Sequence, residues 1–155
     1  MAETGIEILP PCTRFVLRGP AARLSAAFGM VLPPPMLMAA HDGKRAALRL
    51  GPDEILLLAE EGAAVSLGQA ADDDSLALVD VSHRQVALRI AGPAAADRLN
   101  ELCPLDLDPA VFAPGACTRT LFGKAEIVLW RIAADVFHVE VARSFAPYVL
   151  ALLNP

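Results

Sequence analysis

The side chains of this 155-residue chain that could carry chemistry include three histidines and three cysteines. Ser82 and His83 resemble a nucleophile beside its base. Adjacent side chains on an extended backbone point to opposite faces, however, so these two cannot form that pair directly. We therefore interpret residues 82–84 as a turn at the end of a strand, in which a side chain satisfies backbone groups.

The other two histidines are predicted to be exposed to solvent. His41 stands beside Asp42 and Gly43 in a predicted hairpin loop. His138 and Glu140 alternate with apolar residues along a predicted strand, and we expect both to point outward. Neither His41 nor His138 is predicted to be functional.

The cysteines Cys12, Cys103 and Cys117 show no metal-ligand spacing, because the chain has no CxxC motif and no suitable Cys/His pair. No metal site is predicted. Cys103 and Cys117 would be nucleophiles only if a histidine approached them in space, and we predict that they fill the apolar core instead. Because GxGxxG, Walker, HExxH and GxSxG motifs are also missing, we assign no catalytic residue.

Asp106 and Asp108 lie two residues apart in a loop bounded by prolines. Their side chains could share one face of that loop, or cap a short helical turn predicted at residues 109–112. The spacing alone leaves both interpretations open.

The composition predicts a folded domain with a protein partner. Hydrophobic residues make up 55% of the chain, charged residues 20%, and the formal net charge is −5. The basic residues are scattered, without a basic stripe interleaved with aromatics, so nucleic-acid binding is not expected. With so little charge, apolar patches are expected on the surface, which favours a binding partner.

No segment is predicted to cross a membrane or to direct secretion. The N-terminus lacks the basic region of a signal peptide. The most apolar stretch, residues 29–40, contains three consecutive prolines and is shorter than the ~20 residues of a membrane span. We expect a soluble, reduced, cytoplasmic protein.

Strands and helices alternate clearly in the C-terminal half. Strands are predicted at residues 76–81 (buried on both faces), 85–91, 118–122, 125–132 and 136–141. The buried stripe of a first helix is predicted to comprise Ala95, Leu99 and Leu102. A last helix, capped by Ser144, is predicted to bury Phe145, Tyr148, Val149 and Leu152.

The first half repeats this plan. Residues 15–20 match residues 87–93, since each is a strand that ends in Gly-Pro before an Ala-rich helix. Residues 49–58 likewise match residues 131–140, each a hairpin with a short acidic turn. Each hairpin is followed by a stretch that could be helical.

The two copies predict an α+β fold of mostly antiparallel sheets, with helices packed on one face and a pseudo-twofold repeat. The repeat halves are residues 13–71 and 75–153, and the aspartates at 72–74 are predicted to form a solvated linker between them. Because neither half is long enough to bury a core comfortably, residues 1–155 are interpreted as a single domain.

Several ordered blocks carry a resemblance to a known family. They are residues 75–93, 99–100, 103–107, 115–120, 123–130 and 143–149, with a weaker block at 50–57. Together, over residues 45–153, they resemble the gamma subunit of heterotetrameric sarcosine oxidase.

A broader resemblance is to the folate-binding domain of the glycine-cleavage aminomethyltransferase, the T-protein. In that domain a strand ending in Asp-x-Ser-His, here residues 80–83, precedes a Gly-Pro turn, a helix and a loop with a functional aspartate. Asp106 stands at the corresponding position. Pro104 and Leu105 precede it here, where the family has a small polar residue, so the resemblance implies a vestigial folate position at Asp106.

The resemblance implies a non-catalytic subunit with a structural role in assembly. The complex would oxidise sarcosine to glycine, produce hydrogen peroxide and pass the methylene group to tetrahydrofolate. FAD, FMN, NAD and tetrahydrofolate would be held by other subunits, and no cofactor by this chain. The implied partners are the alpha and beta subunits, and the isolated chain could form a homodimer.

Two alternatives remain open. The chain could be an autonomous folate-binding or T-protein-like aminomethyltransferase, or a stand-alone homodimer that has diverged from both families.

Overall fold

A computed structural model of the chain describes residues 4–28, 35–61 and 72–154. The chain divides into two compact units. The N-terminal unit comprises Pro11–His83, and the C-terminal unit comprises Met1–Pro10 with Arg84–Pro155. Each unit is built on one five-stranded antiparallel sheet.

The described residues form ten strands and three helices. The strands are β1 (Gly5–Ile8), β2 (Thr13–Arg18), β3 (Ala39–His41), β4 (Arg45–Arg49), β5 (Glu54–Ala59), β6 (Ala77–Asp80), β7 (Gln85–Ala91), β8 (Cys117–Phe122), β9 (Ala125–Ala133) and β10 (Val136–Ala142). The helices are α1 (Ala21–Phe28), α2 (Ala95–Asn100) and α3 (Ala146–Leu153).

The core of the C-terminal unit lies between its sheet and its two helices. The alternation predicted for β7 and β10 places Leu88, Ile90 and Val139 in this core, each at most 1% exposed. Leu99 of α2 and Val149 of α3 pack against them. Full burial of each such side chain contributes ~1.5–3 kcal/mol, so this face holds the unit together.

The core of the N-terminal unit is smaller. Leu24 of α1, which is fully buried, packs with residues of β2, β4 and β5, among them Leu17, Ala47 and Leu57. The helix starts directly after the Gly-Pro turn, where the carbonyl oxygen of Pro20 accepts hydrogen bonds from the first helical turn.

The strands that directly precede β2 and β7 in the chain are exchanged between the two sheets. β1 precedes β2 in the chain but pairs with β7, and β6 precedes β7 but pairs with β2. The two sheets therefore have equivalent orders, β1-β7-β10-β9-β8 and β6-β2-β5-β4-β3. The exchange was not predicted, because an edge strand's partner depends on tertiary packing.

The repeat predicted from the sequence is confirmed by one hydrogen bond found in both units. The backbone N–H of Gly19 donates to the carbonyl oxygen of Asp53 at 2.9 Å, and Gly92 donates to Asp135 at 2.9 Å. Both glycines have positive φ, 143° and 129°, which favours glycine. The Gly-Pro turn of each copy is thus tied to the acidic turn of its own hairpin.

The strands predicted at 118–122, 125–132 and 136–141 are confirmed, with bounds shifted by at most one residue at either end. The strand at 76–81 is present as β6, but its predicted burial on both faces is wrong. Val79 is 54% exposed, and among the described strands β6 lies at the edge of its sheet, paired with β2.

The predicted helix stripes need correction at their ends. Leu102 lies beyond α2 and is 38% exposed. Ser144 does not cap α3, since Phe145 is the N-cap residue and no side chain caps the helix. The buried face of α3 is formed by Ala146, Val149 and Leu153 instead of the stripe beginning at Phe145.

Asp73, which was predicted to belong to a solvated linker, makes specific contacts with neighbouring side chains. Its carboxylate accepts hydrogen bonds from Ser75 and forms an ion pair with Arg23 at 2.8 Å. The helical stretch predicted after the first hairpin lies mostly outside the described residues. Within residues 4–28, 35–61 and 72–154, no helix is long and apolar enough to cross a membrane.

Candidate functional site

The loop between α2 and β8 carries Asp106, the position that the sequence singled out. Leu107 and Phe112 are buried in the core of the C-terminal unit, 1% and 8% exposed. Residues 108–111 project between these two anchors and are all exposed. We call residues 108–111 the loop tip.

Both aspartates of this loop accept backbone hydrogen bonds. Asp106 is exposed, and its Oδ1 accepts the N–H of Asp108 at 2.9 Å. Asp108 in turn accepts the N–H of Ala110 through Oδ1 at 2.8 Å. Its carbonyl oxygen accepts the N–H groups of Val111 and Phe112, which confirms the predicted turn. Asp108, and not Asp106, therefore caps the turn.

A buried arginine that the sequence analysis missed fixes both ends of the loop tip. Arg131 is 2% exposed, and its NH1 donates to the carbonyl oxygens of Leu107 at 2.9 Å and Phe112 at 2.8 Å. Nε donates to the carbonyl oxygen of Ala134 at 3.0 Å, and the guanidinium carbon lies 4.9 Å from the centre of the Phe137 ring. Arg131 stands between apolar residues of β9, but its loop partners lie 24 and 19 residues away in the chain, so the sequence did not reveal this role.

The turn predicted at residues 82–84 is confirmed. Ser82 Oγ donates to Asp80 Oδ1 at 2.6 Å and accepts the N–H of Arg14 at 2.9 Å. The hydroxyl and backbone N–H of Ser82, with a smaller contribution from His83, lower the pKa of Asp80. Ser82 is thus placed as a structural link between two strands, while His83 is exposed.

His138 and Glu140 lie on the face opposite to the core, as predicted, but the solvent exposure predicted for them is wrong. Glu140 is fully buried and His138 is 7% exposed, with His138 Nε2 2.7 Å from Glu140 Oε1. The Trp130 ring lies 5.8 Å from the imidazole. Alternation placed these residues on the face opposite to the core, but that face is buried too, as Val128 also shows.

The cysteines have the burial expected of apolar core residues. Cys103 is 5% exposed, Cys117 is fully buried, and neither forms a disulfide. Trp130 stands opposite Cys117 on one side and His138 on the other in the strand register. His138 and Cys117 are therefore two strands apart, roughly 10 Å.

The geometry supports structural roles for the polar side chains described above. The hydrogen bonds of Ser82 join two strands, those of Asp108 hold a turn, and those of Arg131 fix a loop. Among the described residues, no three His, Cys, Asp or Glu side chains come together to hold a metal ion.

A sequence model of the sarcosine oxidase gamma subunit family matches residues 18–154. The sarcosine oxidase subunit gamma of Corynebacterium sp. (strain P-1) is 33% identical over 151 residues, which cover 96% of this chain and 71% of that protein. The subunit gamma of Corynebacterium sp. (strain U-96) is 34% identical over 132 residues, 83% of this chain and 64% of that protein.

Two solved structures share the fold. A chain of the heterotetrameric sarcosine oxidase from Corynebacterium sp. U-96, in complex with pyrrole 2-carboxylate, has a TM-score of 0.89 and 31% identity over 97% of this chain and 81% of its own length. The glycine cleavage system aminomethyltransferase T from Bartonella henselae has a TM-score of 0.70 and 16% identity, covering 98% of this chain and 45% of that chain, which shows the fold alone. Both resemblances expected from the sequence are confirmed. The chain belongs to the sarcosine oxidase gamma subunit family.

Proposed function

We propose that the chain is a non-catalytic subunit of a heterotetrameric sarcosine oxidase, with a structural role in its assembly. Its partners are the alpha and beta subunits of a cytoplasmic complex that oxidatively demethylates sarcosine to glycine. The observation that carries this proposal is the match, at a TM-score of 0.89 over 97% of the chain, to a chain of a heterotetrameric sarcosine oxidase.

The use of the chain's polar groups supports a non-catalytic role. A catalytic base or nucleophile must be able to reach a substrate atom. Arg131 of β9, which is buried against the Asp106 loop, donates to backbone carbonyl oxygens within its own unit. Ser82 is bound to Asp80, and His138 to Glu140. These hydrogen bonds give the side chains structural roles within the fold.

We propose that the cofactors are held by other subunits. FAD, FMN, NAD and tetrahydrofolate would carry the redox and methylene-transfer chemistry there. In this chain the folate position is vestigial, since Asp106 follows the apolar Leu105 and its carboxylate serves the backbone of Asp108.

The test is the Asp106→Asn variant, measured in the complete complex. Turnover of sarcosine is expected to stay within about twofold of the wild-type rate, whereas loss of a general acid or base would cost roughly 10²–10⁴-fold. A loss of that size, with the complex still assembled, would refute the vestigial role. Thermal unfolding of both proteins controls for simple loss of stability.

Two observations favour a second candidate, an autonomous folate-binding or aminomethyltransferase-like protein. The fold matches aminomethyltransferase T, and Asp106 is exposed. Titration of the isolated chain with tetrahydrofolate separates the two functions. We expect no saturable binding at micromolar folate; binding that Asp106→Asn abolishes would establish the alternative.

A further inference from the structure

We propose that Leu37 holds the entry into β3 in a strained backbone conformation, and that this strain makes β3 open more readily than β8, its counterpart in the other repeat. The inference concerns the conformational behaviour of the chain and does not depend on the proposed function. It is carried by a comparison of Leu37 with Gly115, which occupies the equivalent position of the C-terminal unit.

Matching backbone hydrogen bonds make Leu37 and Gly115 equivalent. The N–H of Leu37 donates to the carbonyl oxygen of Arg49 at 2.8 Å, and the N–H of Gly115 donates to that of Arg131 at 2.7 Å. The N–H groups of the two arginines donate back to the residues that follow Leu37 and Gly115, at 3.1 and 2.9 Å. Each guanidinium also donates to a carbonyl oxygen in the turn of its own hairpin. The same pair of backbone hydrogen bonds therefore precedes β3 and β8.

The two positions share a left-handed backbone, but only one of them holds a glycine. The angle φ is 62° at Leu37 and 94° at Gly115. Within the described part of the chain, Leu37 is the one residue other than glycine that has a positive φ. In this region a Cβ atom comes too close to the carbonyl oxygen that follows it, a cost that glycine does not bear. Leu37 is therefore under a backbone strain that is absent at Gly115.

The strand that follows Leu37 has little burial to offset this strain. Both β3 and β8 are edge strands among those described, but β3 has three residues and β8 has six. The residues of β3 are half-buried or exposed, whereas Cys117 and Phe122 of β8 are at most 1% exposed. The side chain of Leu37 is itself 41% exposed. Because opening of β3 releases the strain and gives up few apolar contacts, it costs less free energy than opening of β8.

The experiment compares glycine with alanine at Leu37 and at a leucine that has an ordinary backbone. Leu37→Ala keeps the strained Cβ atom and Leu37→Gly removes it, so the difference between these variants isolates the strain. Leu102 is the matched position, since it is 38% exposed and its φ is not positive. Melting temperatures are measured for the glycine and alanine variants at both positions. Amide hydrogen exchange is followed at the N–H groups of Arg49 and Arg131 in the wild type and in Leu37→Gly.

The order of glycine and alanine should be opposite at the two positions. Leu37→Gly is expected to melt about 2 °C or more above Leu37→Ala, because relief of strain outweighs the greater freedom of glycine in the unfolded chain. At Leu102 only that freedom acts, so the alanine variant should melt about 2 °C above the glycine variant. Leu37→Asn gives a second comparison, since asparagine tolerates a positive φ, and should also melt above Leu37→Ala.

Hydrogen exchange reports the opening of the strands. In the wild type the N–H of Arg49 should exchange about tenfold or more faster than that of Arg131. Leu37→Gly should slow exchange at Arg49 about threefold or more and leave exchange at Arg131 unchanged.

Two results would overturn the inference. If Leu37→Ala melts at the same temperature as Leu37→Gly or above it, the backbone at Leu37 is not strained. If exchange at Arg49 is no faster than at Arg131, or is not slowed by Leu37→Gly, the strain does not promote the opening of β3.

Discussion

His138 and Glu140 form a buried pair on one strand, with Nε2 2.7 Å from Oε1. They lie two positions apart on β10 and therefore share a face of the sheet. Glu140 is fully buried, so its carboxylate depends on hydrogen-bond donors to offset the loss of water. The imidazole supplies such a donor, and the Trp130 ring lies beside it, with the ring centres 5.8 Å apart.

The loss of stability when His138 is replaced should therefore depend on whether the new side chain can donate a hydrogen bond to Glu140. His138→Leu leaves Glu140 without this donor and is expected to lower the free energy of unfolding by about 3 kcal/mol. His138→Gln can still donate and should cost about 1 kcal/mol. Urea denaturation measures both, with the exposed His83→Leu as control. Equal costs for leucine and glutamine would contradict a hydrogen-bonding role.

Removal of Arg131 should free the Asp106 loop. Arg131→Met leaves three carbonyl oxygens without their guanidinium donor, and we expect a loss of about 3 kcal/mol or more in unfolding free energy. Limited proteolysis should cut this variant at residues 108–111 faster than the wild type. Arg89→Met, an exposed arginine on β7, is the control. An unchanged cleavage rate at the loop tip would refute the anchoring role.

The close approach at Gly19 should make this glycine hard to replace. A Cβ there would lie 2.5 Å from Leu76 Cδ2 and 2.9 Å from the carbonyl oxygen of Ser75. Gly43 also has a positive φ, but nothing lies within 4 Å of its Cβ position. Gly43→Ala should cost about 1 kcal/mol through backbone strain, and Gly19→Ala about 3 kcal/mol, since overpacking is added. Similar melting temperatures for the two variants would contradict this difference.

Asp73 should contribute to stability in a pH-dependent way. Hydrogen bonds from the Ser75 hydroxyl and N–H, and then from Arg23, lower its pKa from 3.8 to about 2. A lowered folded-state pKa stabilises the fold above pH 3.8, and that contribution is lost as the pH falls toward 2. The difference in urea midpoint between wild type and Asp73→Asn should therefore shrink between pH 6 and pH 3. If the difference in urea midpoint is the same at both pH values, the stabilisation by the charged Asp73 carboxylate is refuted. Asp72→Asn, at an exposed neighbouring position, is the control.

Much of the fold could be predicted because local signals agree with the tertiary structure. The β9–β10 hairpin combines apolar alternation with turn residues, and its bounds were predicted to within one residue. The repeated Gly-Pro turn was also predicted correctly. In each copy the glycine has a positive φ, and its backbone N–H donates a hydrogen bond to the hairpin of the same copy.

The burial of His138 and Glu140 could not be predicted in the same way. A period of two assigns residues to a common face, but it does not tell whether that face is covered. The role of Arg131 depends on carbonyl oxygens 24 and 19 residues away in the chain, so no local pattern could show it. β1 was not predicted, because this four-residue strand is defined by its pairing with β7, which is distant in the sequence.

We propose that this chain serves in the assembly of an oxidase without carrying its chemistry. The direct measurement is sarcosine-dependent peroxide production, with the flavin absorbance recorded, for the isolated chain and for the reconstituted complex. We predict a colourless, inactive chain and an active complex that contains it. Flavin bound to the isolated chain, or peroxide produced by it without the other subunits, would refute the non-catalytic role.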